Sequence, residues 1–209
     1  MFAALLVTAA AAFAVVDSAI LQELIYSSIY VFYGIIIAEI ILVIAISSLI
    51  NRMSVITANL LFFLYAILNG LTLSVIFFVY DIGVIFHAFA VSALMFAAMA
   101  LYGTITRRDL TSIGSICVMG LFGIIIASII NMLFFRDQTL SMVITYVGVL
   151  VFVGLTAYDT QRIKRMLKEA NASSQLDAIQ RISVMGALIL YLDFINLFLK
   201  ILRILGRRR

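Results

Sequence analysis

Two aspartates in hydrocarbon surroundings are the residues of this 209-residue chain best placed to do chemistry. Asp193 sits in Gly186-Ala-Leu-Ile-Leu-Tyr-Leu-Asp-Phe-Ile-Asn-Leu-Phe-Leu199, with Asn196 one helical turn further on. Asp159 sits in Thr156-Ala-Tyr-Asp-Thr-Gln161, at the end of the preceding apolar segment. A carboxylate at mid-bilayer costs roughly 2.5–3.5 kcal/mol on insertion scales, so one found there is usually used for something. If the two segments fold back on each other, Leu176 is 17 positions from each aspartate (176 − 159 and 193 − 176), which puts both carboxyls at one height. Hydropathy alone would place Asp159 nearer the interface than Asp193, a disagreement that helix tilt can absorb. Within hydrogen-bond reach, two carboxyls in low dielectric cannot both ionise comfortably; they share a proton and titrate as one coupled unit. Such a pair is also rich in oxygen and suits Ca²⁺ or another hard cation, with Asn196, Thr156, Thr160 and Gln161 as further oxygens nearby. The plainer reading makes Asp159 a helix-end cap and Asp193 a hydrogen-bonding contact to a neighbouring helix. Glu39 poses the same choice: a second acidic station on an ion path, or a hydrogen bond to an adjacent helix.

The elements that must position these groups are transmembrane helices. The chain is 66% apolar and 11% charged, against roughly 45–50% and about 25% in soluble domains, and its mean hydropathy is +1.24. The apolar runs are far too long for the segments of about ten residues that build a membrane β-barrel. The expectation is an all-α polytopic membrane protein forming one transmembrane domain over residues 1–209. Its seven spans fall near residues 1–16, 25–50, 55–80, 84–105, 110–134, 140–158 and 182–205. Residues 1–16 lack a basic n-region and read as a short first span rather than a signal peptide. Span 3 carries an interruption at Asn69-Gly70, and span 5 offers small residues (Gly114, Gly120, Gly123, Ala127) for close helix packing. Ser54 is placed to cap span 3, and Ser174-x-x-Asp177 resembles a capping box for span 7.

Charge sets the orientation. The connections after spans 2, 4 and 6 carry Arg52; Arg107 and Arg108; and Arg162, Lys164, Arg165, Lys168 and Arg181. The other three carry only Arg136. The positive-inside rule then makes the first set and the N-terminus cytoplasmic. Seven spans put the C-terminus outside, against the preference of Lys200, Arg203 and Arg207-Arg208-Arg209. The net charge of +4 resides in short loops and the tail, which argues against nucleic acid as a partner. The single cysteine, Cys117, excludes an intrachain disulfide and a cysteine-cluster metal site. His87 reads as interfacial and Cys117 as a packing residue. No nucleotide loop, hydrolase motif or nucleophile–base pair is present, so an enzyme is not expected, and no cofactor is implied.

Tyr158-Asp-Thr-Gln-Arg-Ile-Lys164 and Leu190-Tyr-Leu-Asp-Phe-Ile-Asn-Leu-Phe198 closely resemble the Bax inhibitor-1 family of membrane proteins. Ala38-Glu39-Ile40, Gly70-Leu-Thr-Leu-Ser74 and Arg107-Arg-Asp-Leu110 extend the likeness over nearly the whole chain, in wording that looks bacterial. The resemblance implies a seven-helix bundle with the last helix at its centre, in the bacterial inner membrane, acting as a pH-sensitive Ca²⁺ leak. It implies that Asp159 and Asp193 form the pH sensor and that an arginine near the end of span 2, here Arg52, latches the closed state. Two other readings stand beside this one: a cation/H⁺ exchanger using the same pair, and a non-transporting partner of a membrane quality-control protease or of stress survival.

Overall fold

The computed structural model describes residues 1–50, 52–172 and 176–206. Among them no strand occurs, and the chain runs through nine α-helices: α1 Phe2–Asp17, α2 Ala19–Tyr26, α3 Ile29–Leu49, α4 Val55–Leu73, α5 Ile76–Val79, α6 Ile82–Ile105, α7 Thr111–Ile130, α8 Gln138–Ala172 and α9 Leu176–Leu205. Six spans are long and apolar enough to cross a membrane, α4 and α5 counting as one; α1 with α2 makes a seventh if that pair, bent by 98°, is a single span. The bend falls at Ser18, between α1 and α2. The expected connection after the first span is largely the helix α2.

The helices add detail to the sequence reading and correct it at Asn69-Gly70. Asn69 and Gly70 do not interrupt α4, which breaks instead at Ser74. The Ser74 hydroxyl there donates to the Leu71 carbonyl at 2.5 Å and lies 2.6 Å from the Tyr26 hydroxyl. The fifth span ends in a π-helical turn, Asn131–Phe135, closed by Arg136 in the left-handed region at φ 50°. The helix that carries the sixth span runs on past residue 158 as one helix of 35 residues to Ala172. Its polar extension is composed of good helix formers (Arg, Lys, Met, Leu, Glu, Ala) and contains neither glycine nor proline. Ser54 caps α4 as its position predicts, accepting from the Thr57 backbone N–H at 3.1 Å. The proposed Ser174 cap and the Arg207-Arg208-Arg209 tail lie outside the described residues.

The chain packs as two compact units. The first comprises Met1–Val79 and Leu167–Tyr191. In it α1 and α3 pack against α4, and α1 approaches so closely that a Cβ at Gly70 would overlap the Thr8 carbonyl and lie 2.7 Å from Ala11 Cβ. The second comprises Tyr80–Met166 and the described residues from Leu192 onward. There α6 meets α8 at Gly103, where a Cβ would overlap the backbone of Ala157. Phe194 of α9 sits edge-on between Phe89 and Phe96 of α6, at 5.4 and 5.6 Å between ring centroids. Of the spans, α9 is the most enclosed, while α3 and α7 are among the least, as expected of helices that face lipid.

The turn between α6 and α7 is clamped to the polar extension of α8. The Gln161 side-chain amide donates to the Arg108 carbonyl at 2.8 Å and its oxygen accepts from the Leu110 N–H at 2.9 Å. Lys164 donates to the Thr104 carbonyl, and Arg165 pairs with Asp109 at 3.2 Å. Asp109 also accepts from the Thr111 hydroxyl at 2.6 Å and the Thr111 N–H at 3.0 Å. These bonds, the Thr111 hydroxyl foremost and the Arg165 guanidinium after the Thr111 N–H, hold the Asp109 carboxyl below the usual carboxylate range.

Two outcomes are expected. Gly103→Ala forces the α6–α8 contact apart and should destabilise the protein by about 1–3 kcal/mol, read as a lowered Tm in detergent with little change in far-UV circular dichroism. Asp109, whose folded value is depressed, contributes stability that is present above its unfolded value and lost as pH falls through the folded one. The Tm deficit of Asp109→Asn should therefore be largest at neutral pH and shrink as the pH drops below about 4; a deficit independent of pH would show that the carboxylate's charge is not what matters.

Candidate functional site

In the second unit α8 and α9 run antiparallel, and the two aspartates meet. The Asp159 and Asp193 side chains lie within hydrogen-bond reach of each other. They are 9% and 5% exposed, so the contact is excluded from solvent. Two carboxyls in such contact need at least one proton between them, because two bare carboxylates offer only acceptors and repel. Asp193 Oδ2 is buried and, among the described residues, has no hydrogen-bond partner. An acceptor left in that state is expensive, and in a native site it calls for an explanation such as a bound ion or a proton-dependent role.

The packing around the pair leaves it little freedom. The Tyr158 ring fills the notch opposite Gly114 of α7, and Cys117 lies against Gly154, so the helix turns just before Asp159 are seated directly on α7. On α9, the neighbouring Phe194 is fixed between the two α6 rings. The other oxygens named from sequence are mostly occupied elsewhere. Thr156 and Thr160 bond back to the Phe152 and Thr156 carbonyls at 2.8 and 2.7 Å. Gln161 is committed to the α6–α7 turn. Asn196, half-buried, donates its amide to the Leu192 carbonyl at 2.9 Å. Among the described residues no group of three His, Cys, Asp or Glu side chains could hold a metal. A Ca²⁺ ion at this pair would therefore take two carboxyls from the protein and most of its about six to eight oxygens from water or carbonyls.

The first unit holds a second polar centre, of different character. Glu39 of α3 receives two neutral donors from α4: Asn69 Nδ2 at 3.1 Å on Oε2 and the Thr72 hydroxyl at 2.8 Å on Oε1. The Asn69 oxygen accepts from the Tyr191 hydroxyl at 3.0 Å. That hydroxyl lies 2.7 Å from the hydroxyl of Thr8, which in turn reaches the Ala4 and Ala66 carbonyls, each at 2.9 Å. Tyr191 is fully buried, edge-on to Phe62 and Tyr65. One hydrogen-bonded chain thus ties α1, α3, α4 and α9 together. The donors of Thr72, Asn69 and Tyr191 all run toward Glu39, so the bonds polarise one another. Sequence reasoning singled out Glu39 but missed Tyr191, Thr8 and Asn69 as its supporting cast. The available signal was that each is an isolated polar group in an apolar span.

Arg52, in the first unit, is exposed in the turn between α3 and α4. His87 is exposed on α6, its Nδ1 2.6 Å from the Gly83 carbonyl. Cys117 is buried as a packing residue.

Over residues 1–209 the chain matches the family model described as "Inhibitor of apoptosis-promoting Bax1". It is 46% identical to the inner membrane protein YbhL of Escherichia coli strain K12 over 209 residues, covering all of this chain and 88% of that one. An uncharacterized protein of Borreliella burgdorferi is 45% identical over 205 residues, 98% of this chain and 87% of its own. An uncharacterized membrane protein of Streptococcus pyogenes serotype M1 is 41% identical over 177 residues, 85% and 75% of the respective chains. With these relatives and its long apolar helices, the chain is a multi-pass integral membrane protein.

The Tyr191 hydroxyl is the joint of the first-unit chain. Tyr191→Phe keeps the ring packing but strands the Asn69 oxygen, and should lower stability by about 1–3 kcal/mol. Thermal unfolding in detergent reads this directly, and a double-mutant cycle with Asn69→Ala should show the two losses to be non-additive.

Proposed function

This chain belongs to the Bax inhibitor-1 family along its whole length, and from that premise we propose that it is a pH-sensitive Ca²⁺ leak gated by the Asp159–Asp193 pair. The observation that carries the reading is the buried carboxyl–carboxyl contact, with one Asp193 oxygen left unpartnered among the described residues. A group of this kind exists in two charge states that the surrounding protein must accommodate differently. With a proton in place the carboxyls attract. Without it they repel in low dielectric, and the repulsion is relieved by a cation or by a guanidinium.

In the leak mechanism the ionised pair draws on Arg52, which latches the closed state. Protonation removes the charge that holds the latch and biases the protein toward the open state. Ca²⁺ is the transported ion, competing with protons for the same oxygens. Two carboxyls hold it only in part, which favours passage over storage. Glu39 serves as a second acidic station and Asn196 lines the path beyond the pair. The basic connections support a cytoplasmic N-terminus, and the Escherichia coli relative supports the inner membrane as its location. No chemical transformation is part of this reading, and its partners are the bilayer, Ca²⁺ and H⁺.

Ca²⁺ flux into proteoliposomes between about pH 8 and pH 5 tests it. Flux of the native protein should rise as pH falls. Asp159→Asn and Asp193→Asn should flatten that profile, and Arg52→Ala should raise flux at the alkaline end several-fold. Folded protein with no flux above empty liposomes at any pH would sink the leak. The reading would then pass to a non-transporting partner of a membrane protease. Stoichiometric proton counter-flux would instead establish an exchanger.

A further inference from the structure

Beyond the aspartates, the seam between α8 and α9 in the second unit carries a second charged group that no role has yet absorbed. Counting from Asp193, the residues Asn196, Lys200 and Arg203 recur at helical spacing and occupy one face of α9. Their partners on α8 step the opposite way: Asp193 meets Asp159, Lys200 lies on Gly148, and Arg203 donates to the Ser141 hydroxyl. Gly148 is the middle of the apolar run of α8, and Lys200 is only half exposed. The contact is intimate: a Cβ at Gly148 would come within 3.0 Å of Lys200 Cε and 3.2 Å of Cδ. Gly148 is thus the groove in which the methylene stem of Lys200 lies. The seam is acidic at the Asp159–Asp193 end and cationic further along, with about 10 Å of helix rise between Asp193 and Lys200.

A lysine at the end of a span ordinarily snorkels to the interface. Here the antiparallel register sets its stem against mid-span backbone, and an ionisable group held there is unusual enough to expect a use. We propose that Lys200 determines specificity along this seam, its ammonium forming the electrostatic barrier that keeps the cation leak slow and weighs most heavily on divalent ions. The inference rests on the leak reading above. A fixed positive charge raises the barrier to a passing cation in proportion to that cation's charge. Its removal therefore multiplies a monovalent flux by some factor and a divalent flux by the square of that factor. Lys200 neither binds the ion nor titrates in this scheme; it repels.

The experiment compares K⁺ and Ca²⁺ flux in proteoliposomes for the native chain, Lys200→Met and Lys200→Arg at one acidic pH. Lys200→Gln carries the test if Lys200→Met misfolds. Lys200→Met should raise K⁺ flux about tenfold and Ca²⁺ flux about a hundredfold, while Lys200→Arg, which keeps the charge, should stay near native. Native flux with an unchanged Ca²⁺/K⁺ ratio in Lys200→Met overturns this proposal and leaves the leak standing. Equal increases for both ions also overturn it, since they indicate a loosened seam rather than a removed charge. Flux in Lys200→Met alone keeps the barrier and overturns the leak as a native activity. Silence in every variant overturns both.

Discussion

Everything in the second unit is arranged so that two carboxyls can touch where water cannot reach them. Hydrocarbon offers them no other partners, and a spanning helix has already spent its backbone groups on itself. The only inexpensive solution is for each acid to satisfy the other, which demands a shared proton and a register accurate to a fraction of a helical turn. That register is imposed by backbone-level contacts: Gly103 against Ala157, and Tyr158 in the notch at Gly114. The aromatic grip of α6 on Phe194 does the same for α9. Small residues here do not mark flexibility. They let α6 and α7 seat directly on α8 and so fix the helix that carries Asp159.

The first unit handles its acid by another strategy. Glu39 is half-buried and takes neutral donors from Asn69 and Thr72, so no second acid is needed to satisfy it. The chain behind those donors, through Tyr191 to Thr8, pins four helices at one point. One protein thus holds two acid centres built differently, one from a pair of acids and the other from a single acid among neutral donors.

Much of this was legible in the sequence. Long apolar runs dictate helices, and the equal spacing of Asp159 and Asp193 about Leu176 anticipates their meeting. Hydropathy argued otherwise, because it weighs each span in isolation whereas the pairing is decided by how α8 and α9 pack. The same blindness hid the true length of α8: the run from Arg162 to Ala172 ceases to be apolar without ceasing to be helical. Asn69-Gly70 looked like a break because both residues disfavour helices, yet Gly70 is there for the approach of α1 and Asn69 for its amide. The contacts made by Tyr191 and Lys200 were out of reach for a simpler reason. Each is one residue in an apolar stretch, and only the neighbour it meets, Asn69 or Gly148, gives it meaning.

The length of α8 has a mechanical consequence. At 35 residues it extends about 52 Å, whereas the hydrocarbon layer is about 30 Å thick, so about 20 Å of rigid rod stands clear of the oil. That stretch is anchored rather than loose: Gln161, Lys164 and Arg165 hold the turn between α6 and α7 against it, and Ala170 further along is buried. The continuation of the span beyond its apolar run is therefore a rigid post to which a neighbouring loop is fastened.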